Sequence, residues 1–146
     1  MKVWLKNTFQ QAAWGPLAVF IFYVVAAKVF NAYILYPWLD IPTHFFGGAA
    51  ITYFYFTGIG HSQASHARLP KTVQLALPVE LTAVTAIIWE ILEYLSDSVL
   101  GTQMNLGPSD TLSDLFFGLL GAFVFIFIVA RSGRSFSLTA KEIKGS

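Results

Sequence analysis

Six acidic residues and one histidine of this 146-residue chain stand at helical spacings beside the ends of apolar stretches. Asp40 and His44 are four apart. Glu90, Glu93 and Asp97 follow at intervals of three and four, and Asp110 and Asp114 are again four apart. Residues three or four apart share one face of a helix. Carboxylates gathered from three such faces repel one another, so they need a multivalent cation or must take up protons. Oxygen ligands joined by one imidazole suit Mg²⁺, Mn²⁺, Ca²⁺, Zn²⁺ or non-haem iron. An ion held there could acidify a bound water and so supply a nucleophile. The other chemistry open to the set is general-base catalysis by His44, oriented by Asp40.

The candidate ligands are therefore His44, Glu90, Glu93, Asp110 and Asp114. The candidate acid–base groups are His44, Asp40 and Glu90, with Asp97 peripheral. Taken singly, each has a plainer reading. Asp40 and Asp110 could be helix caps, His44 an interface residue and Asp97 a loop acid in water. Those readings do not account for three same-face sets on one side. Glu90 is the hardest to explain away. It is flanked by Ile87, Ile88, Trp89, Ile91 and Leu92, and an acid at hydrocarbon depth implies a function.

The elements that must position these residues are transmembrane helices. Hydrophobic residues make up 55% of the chain and charged residues 12%, about half the share of a soluble domain. Mean hydropathy is +0.61. Four stretches are long enough to span about 30 Å of hydrocarbon, at residues 16–36, 41–60, 72–96 and 110–130. The expected fold is all-α, a four-transmembrane-helix bundle forming a single domain over 1–146. The first span is too long for a signal-peptide core and reads as retained. Pro16 and Pro42 suit first helical turns, and Pro78 is expected to kink the third span. Residues 132–146 read as a polar cytoplasmic tail.

Basic residues orient the spans. Lys2, Lys6, Arg68, Lys71, Arg131, Arg134, Lys141 and Lys144 are eight of the nine Lys and Arg, and all flank the same side. The positive-inside rule makes that side, with both termini, cytoplasmic. The acid sets then face outward. Lys28, the ninth, sits toward the outer half of the first span. It either snorkels to the interface or reaches the acids as a counter-charge. Tyr33, Tyr36, Trp38, Trp89 and Tyr94 fit an outer aromatic belt. Glu80 lies about 15 Å below Glu90 along the helix, where it could pair with Arg68 or Lys71. His61 and His66 read as residues of a solvated loop.

Several classes are excluded. There is no cysteine, so disulfides and thiolate metal sites are absent. A net charge of +1 gives no nucleic-acid footprint. No phosphate loop, His-Glu-x-x-His or Gly-x-Ser-x-Gly occurs, and the third span carries Glu-x-x-Glu rather than the Glu-x-x-His of di-iron bundles. Gly118 and Gly121 continue the face of Asp114, and Gly47 and Gly48 follow His44, so close helix approach is expected there.

The run Trp89-Glu90-Ile91-Leu92-Glu93-Tyr94, then Asp97, Asp110 to Leu115 and Gly121-Ala122, resembles small membrane proteins grouped as YjdF-like. Asp40 with His44, Phe45 and Gly47 is similar to an earlier motif of that family. A more distant similarity is to VanZ-like proteins. Relatives often carry an acid four residues after the second Asp, where this chain has Gly118. The resemblance covers residues 40–122 and points to the site rather than to a known activity.

Together these readings predict a multi-pass protein of the inner (plasma) membrane with an outward-facing divalent-cation site. Its expected use is metal-dependent hydrolysis or group transfer on a lipid or lipophilic substrate. The alternative is non-enzymatic: a cation or proton transport component, a homo-oligomer, or a small subunit of a larger membrane complex. A transport path needs polar groups below the site, and only Thr52, Thr57, Thr82 and Thr85 offer them before Glu80.

Overall fold

A computed structural model describes residues 3–63 and 68–132, with the backbone alone at Lys28. All regular structure among these residues is helical. The helices are α1 (Val3–Ala12), α2 (Trp14–Lys28), α3 (Ala32–Leu35), α4 (Asp40–Gln63), α5 (Lys71–Leu100) and α6 (Pro108–Arg131), with a 3-10 turn at Pro37–Leu39 between α3 and α4. His66 and the tail beyond Ser132 lie outside the described residues.

The first expected span differs most from the structure. Helix begins well before residue 16, because α1 precedes α2 and the two meet at 48°. Pro16 supplies the bend, since its missing N–H leaves the Ala12 carbonyl without its helical donor. The run then breaks before residue 36. The Val29 and Phe30 amides both return to the Val25 carbonyl, and Asn31 turns left-handed at φ 48°. Asn tolerates that conformation better than most side chains. Its place inside an apolar run was the signal for a stop. The short α3 and the 3-10 turn then lead the chain from α2 to Asp40.

The other three helices extend their expected spans by a few residues. Asp40 is not the cap of α4: its own backbone is already helical, at φ −63° and ψ −45°. Helix α5 runs through Pro78 and stops at Gly101, whose φ of 66° closes the helix with a bond to the Asp97 carbonyl. Of the helices, α5 and α6 are long and apolar enough to cross a membrane, and α1–α2 makes a third if counted as one bent span. Helix α4 falls short because glycine, threonine and tyrosine dilute it. Those residues suit its place, since it packs on α1, α2, α5 and α6.

The side-chain distribution is inverted relative to a soluble protein. Thr52, Thr57, His61, Thr82, Glu90, Glu93 and Asp114 are buried, while Phe20, Ile87, Ile91, Phe116, Phe123 and Phe127 point outward. Small residues bring the helices together, as membrane bundles require. A Cβ on Gly48 would collide with the Gly118 carbonyl, and one on Gly121 with the Phe45 carbonyl. Helices α4 and α6 therefore lie backbone to backbone and run in the same direction. Between α4 and α5, the Thr52 and Thr82 hydroxyls meet at 2.8 Å, and each also contacts a carbonyl of its own helix.

His61 departs from expectation. It is 4% exposed, inside α4, with Nδ1 3.1 Å from the Thr8 hydroxyl. The Thr8 proton goes to the Trp4 carbonyl, so His61 Nδ1 is the donor. The unforeseen α1 covers this ring, which is why a loop position became an interior one.

Candidate functional site

Helix directions bring the start of α4, the end of α5 and the start of α6 to one end of the bundle. Asp40 and His44 come from the first, Glu90 and Glu93 from the second, and Asp114 from the third. Two sets form. In one, Asp40, His44 and Asp114 each offer a ligand atom within 4.8 Å of the others; in the second, Glu90, Glu93 and Asp114 do the same. His44 Nε2 lies 3.4 Å from Asp40 Oδ1 and 3.8 Å from Asp114 Oδ1. The three carboxylates of the second set are 6%, 4% and 2% exposed. No Lys or Arg pairs with any of them among the described residues. The side chain of Lys28, a candidate counter-charge, lies outside that description.

Few hydrogen bonds reach these acids: the Thr111 hydroxyl bonds Glu90. Trp89 Nε1 donates to Glu93 Oε1 at 2.7 Å. Asn105 Nδ2 reaches Glu90 Oε2 at 3.4 Å, beyond good hydrogen-bond length. Neither oxygen of Asp114 accepts a hydrogen bond among the described residues.

Two sequence candidates stand apart. Asp110 belongs to neither set; its Oδ2 accepts the Leu106 amide at 2.8 Å, fixing the first turn of α6 after Gly107. Asp97 accepts from the Thr102 hydroxyl and from the Met104 and Asn105 amides, both at 2.9 Å. It thereby folds the 101–107 loop over the site. Asn105, which sequence reading passed over, is held there: its Oδ1 accepts from the Gly107 amide, and its Nδ2 donates to Thr111. Trp89 and Tyr33 are more than belt residues. Trp89 holds Glu93, and the Tyr33 hydroxyl lies 2.7 Å from the Thr43 hydroxyl, next to His44. The signal for Trp89 was its spacing of four from Glu93. Glu80 is exposed and makes no ion pair among the described residues.

Substituting Asp97 by alanine should remove all three loop bonds. We expect loss of amide-exchange protection at Met104 and Asn105 and destabilisation of about 1–3 kcal/mol. Unchanged protection at both amides would show that the loop is held by other contacts.

A cavity of about 140 Å³ opens beside the cluster, between α2, α4 and α5. Pro16, Val19, Phe20 and Ile51 give it apolar walls, and His44 stands at its edge. The lining hydroxyls of Thr43, Thr82 and Thr85 all contact carbonyls of their own helices. His44 and the Tyr23 hydroxyl thus carry the remaining polar atoms.

Apolar residues outside, small and polar residues inside, and acids buried at one end define a helical membrane protein. The chain belongs to a family described as "Predicted membrane protein (DUF2238)", whose model matches residues 1–135. It is also similar to an uncharacterized protein of Thermotoga maritima, with 32% identity over 117 residues. The matched region covers 77% of this chain and 59% of that relative, so the chain spans less than two thirds of the relative's length. No solved structure matches the chain.

Proposed function

We propose that the buried end of this membrane protein binds a divalent cation through Glu90, Glu93 and Asp114, with Asp40 and His44 completing its polar wall. The observation that carries this reading is the convergence of three buried carboxylates from two helices without a Lys or Arg partner among the described residues. Acids in such a place need a compensating charge. Oxygen and imidazole donors suit Mg²⁺, Mn²⁺, Zn²⁺ or iron.

The bound ion serves hydrolysis or group transfer on a lipid or lipophilic substrate. The adjoining cavity supports this, because an apolar slot with one polar end fits an amphiphile whose head meets the cluster. The helices form four passes, with α1–α2 as one bent span and α4 shielded at the centre. Lys6, Arg68, Lys71 and Arg131 occupy the end opposite the acids, so the site faces outward from the inner (plasma) membrane and the termini are cytoplasmic. The motif around Glu90 and Asp114 makes the chain YjdF-like within its family. A conduction path is disfavoured: below the site, the Thr52 and Thr82 hydroxyls are occupied by each other and by carbonyls of their own helices.

Metal analysis of protein purified in detergent tests the reading. Wild type should retain a divalent metal, and Glu90→Gln should hold clearly less of it while remaining helical by circular dichroism. Equal metal in both proteins would overturn the assignment of Glu90 as a ligand, and no metal in wild type would overturn the cation site.

A further inference from the structure

We propose that the site holds two divalent cations bridged by Asp114, an inference that rests on the cation-site reading above. Asp114 is the member common to both ligand sets. It projects from α6 between two arms: Asp40 and His44, four apart on α4, and Glu90 and Glu93, three apart on α5. Each arm alone offers two ligands. Each becomes a three-ligand site only by adding an oxygen of Asp114, and one carboxylate has an oxygen for each ion.

A second observation is independent of the clustering. Asp114 is 2% exposed, yet neither oxygen accepts a hydrogen bond among the described residues. Its carboxylate keeps lone pairs free for another partner. His44 Nε2 stands 3.8 Å away, too far for a hydrogen bond. On the other side lie Glu90, reached by Asn105 and Thr111, and Glu93, whose Oε1 alone accepts, from Trp89, among the described residues. Both flanks of Asp114 therefore offer lone pairs to an ion. Bridged ions in two-metal sites sit about 3.5–4 Å apart, and within each set the ligand atoms lie close enough, at 4.8 Å or less, to share one ion.

The two ions are chemically unequal. One set contains an imidazole and borders the cavity, while the other is all carboxylate and lies beneath the 101–107 loop. The imidazole set is the one a ligand in the cavity meets. It binds through His44 Nε2, which leaves the ring proton on Nδ1.

The test uses the full chain in detergent, loaded with Mn²⁺ and freed of excess. Metal content and electron paramagnetic resonance are read on wild type, His44→Gln, Glu93→Gln and Asp114→Asn. Wild type should hold two Mn²⁺ per chain with an exchange-coupled signal. Each arm variant should hold one, with the six-line signal of an isolated ion, and Asp114→Asn should show no coupled signal. One Mn²⁺ per wild-type chain, unaffected by His44→Gln, would overturn the bridged pair and leave the single-cation reading intact. Two uncoupled ions would likewise overturn the bridge. Absence of Mn²⁺ from wild type would overturn both readings. The arm variants keep the proposal testable if Asp114→Asn fails to fold.

Discussion

Alanine at Gly48 or Gly121 is expected to destabilise the bundle by about 3 kcal/mol, the upper part of the usual range for overpacking. Alanine at Gly47 or Gly118 should be tolerated. In each pair both glycines sit in mid-helix and both gain similar helix propensity as alanine. Only the neighbours differ. A Cβ on Gly48 or Gly121 meets backbone of the facing helix, which cannot rotate away. A Cβ on Gly47 meets the Val19 side chain at 3.8 Å, and one on Gly118 meets the His44 carbonyl at 3.7 Å, both ordinary contacts. Because His44 and Asp114 ride on the α4–α6 pair, the disruptive variants should lose metal affinity as well. Thermal unfolding in detergent measures the effect. Equal stability across all four variants would mean that α4 and α6 are further apart than described.

Asp114→Asn should have two opposite effects. Without metal, the wild-type cluster must hold adjacent charges or bind protons, and either weakens folding at neutral pH. Replacing the most buried carboxylate relieves this, so the metal-free variant should melt higher than metal-free wild type. With metal, the order reverses. An ion at 100 times its dissociation constant adds about 2.7 kcal/mol to a protein that binds it only when folded. Wild type should gain this amount from Mn²⁺ and the variant little. Melting curves with Mn²⁺ and with chelator give all four values. A variant that gains as much as wild type would remove Asp114 from the ligand set. This stability readout does not depend on knowing a substrate.

Much of the site was legible because the helical period is local. Spacings of three and four put Glu90 with Glu93 and Asp40 with His44 before any fold was known, and Gly48 and Gly121, though not Gly47 or Gly118, marked where a Cβ would strike the facing backbone. Asp110 and Asp114 share the same spacing, yet only Asp114 joins the cluster. Asp110 is drawn off by the Leu106 amide at the start of its helix. Periodicity fixes the face of a helix but not which of its residues a helix terminus will claim. Asn105 was illegible for a different reason: its position follows from how Asp97 folds a loop, and loops have no period.

Composition and spacing alone determined that this is a helical membrane protein with acids sorted to one end. Lipid demands apolar surface and helix geometry repeats every 3.6 residues, so both facts are written locally in the chain. The tertiary structure decided the rest. It broke the first apolar run at Asn31, used α1 to bury His61, and brought Asp114 between two arms from different helices. Those outcomes depend on which backbones can approach one another, and that is set by pairs such as Gly48 and Gly118, seventy residues apart in the chain.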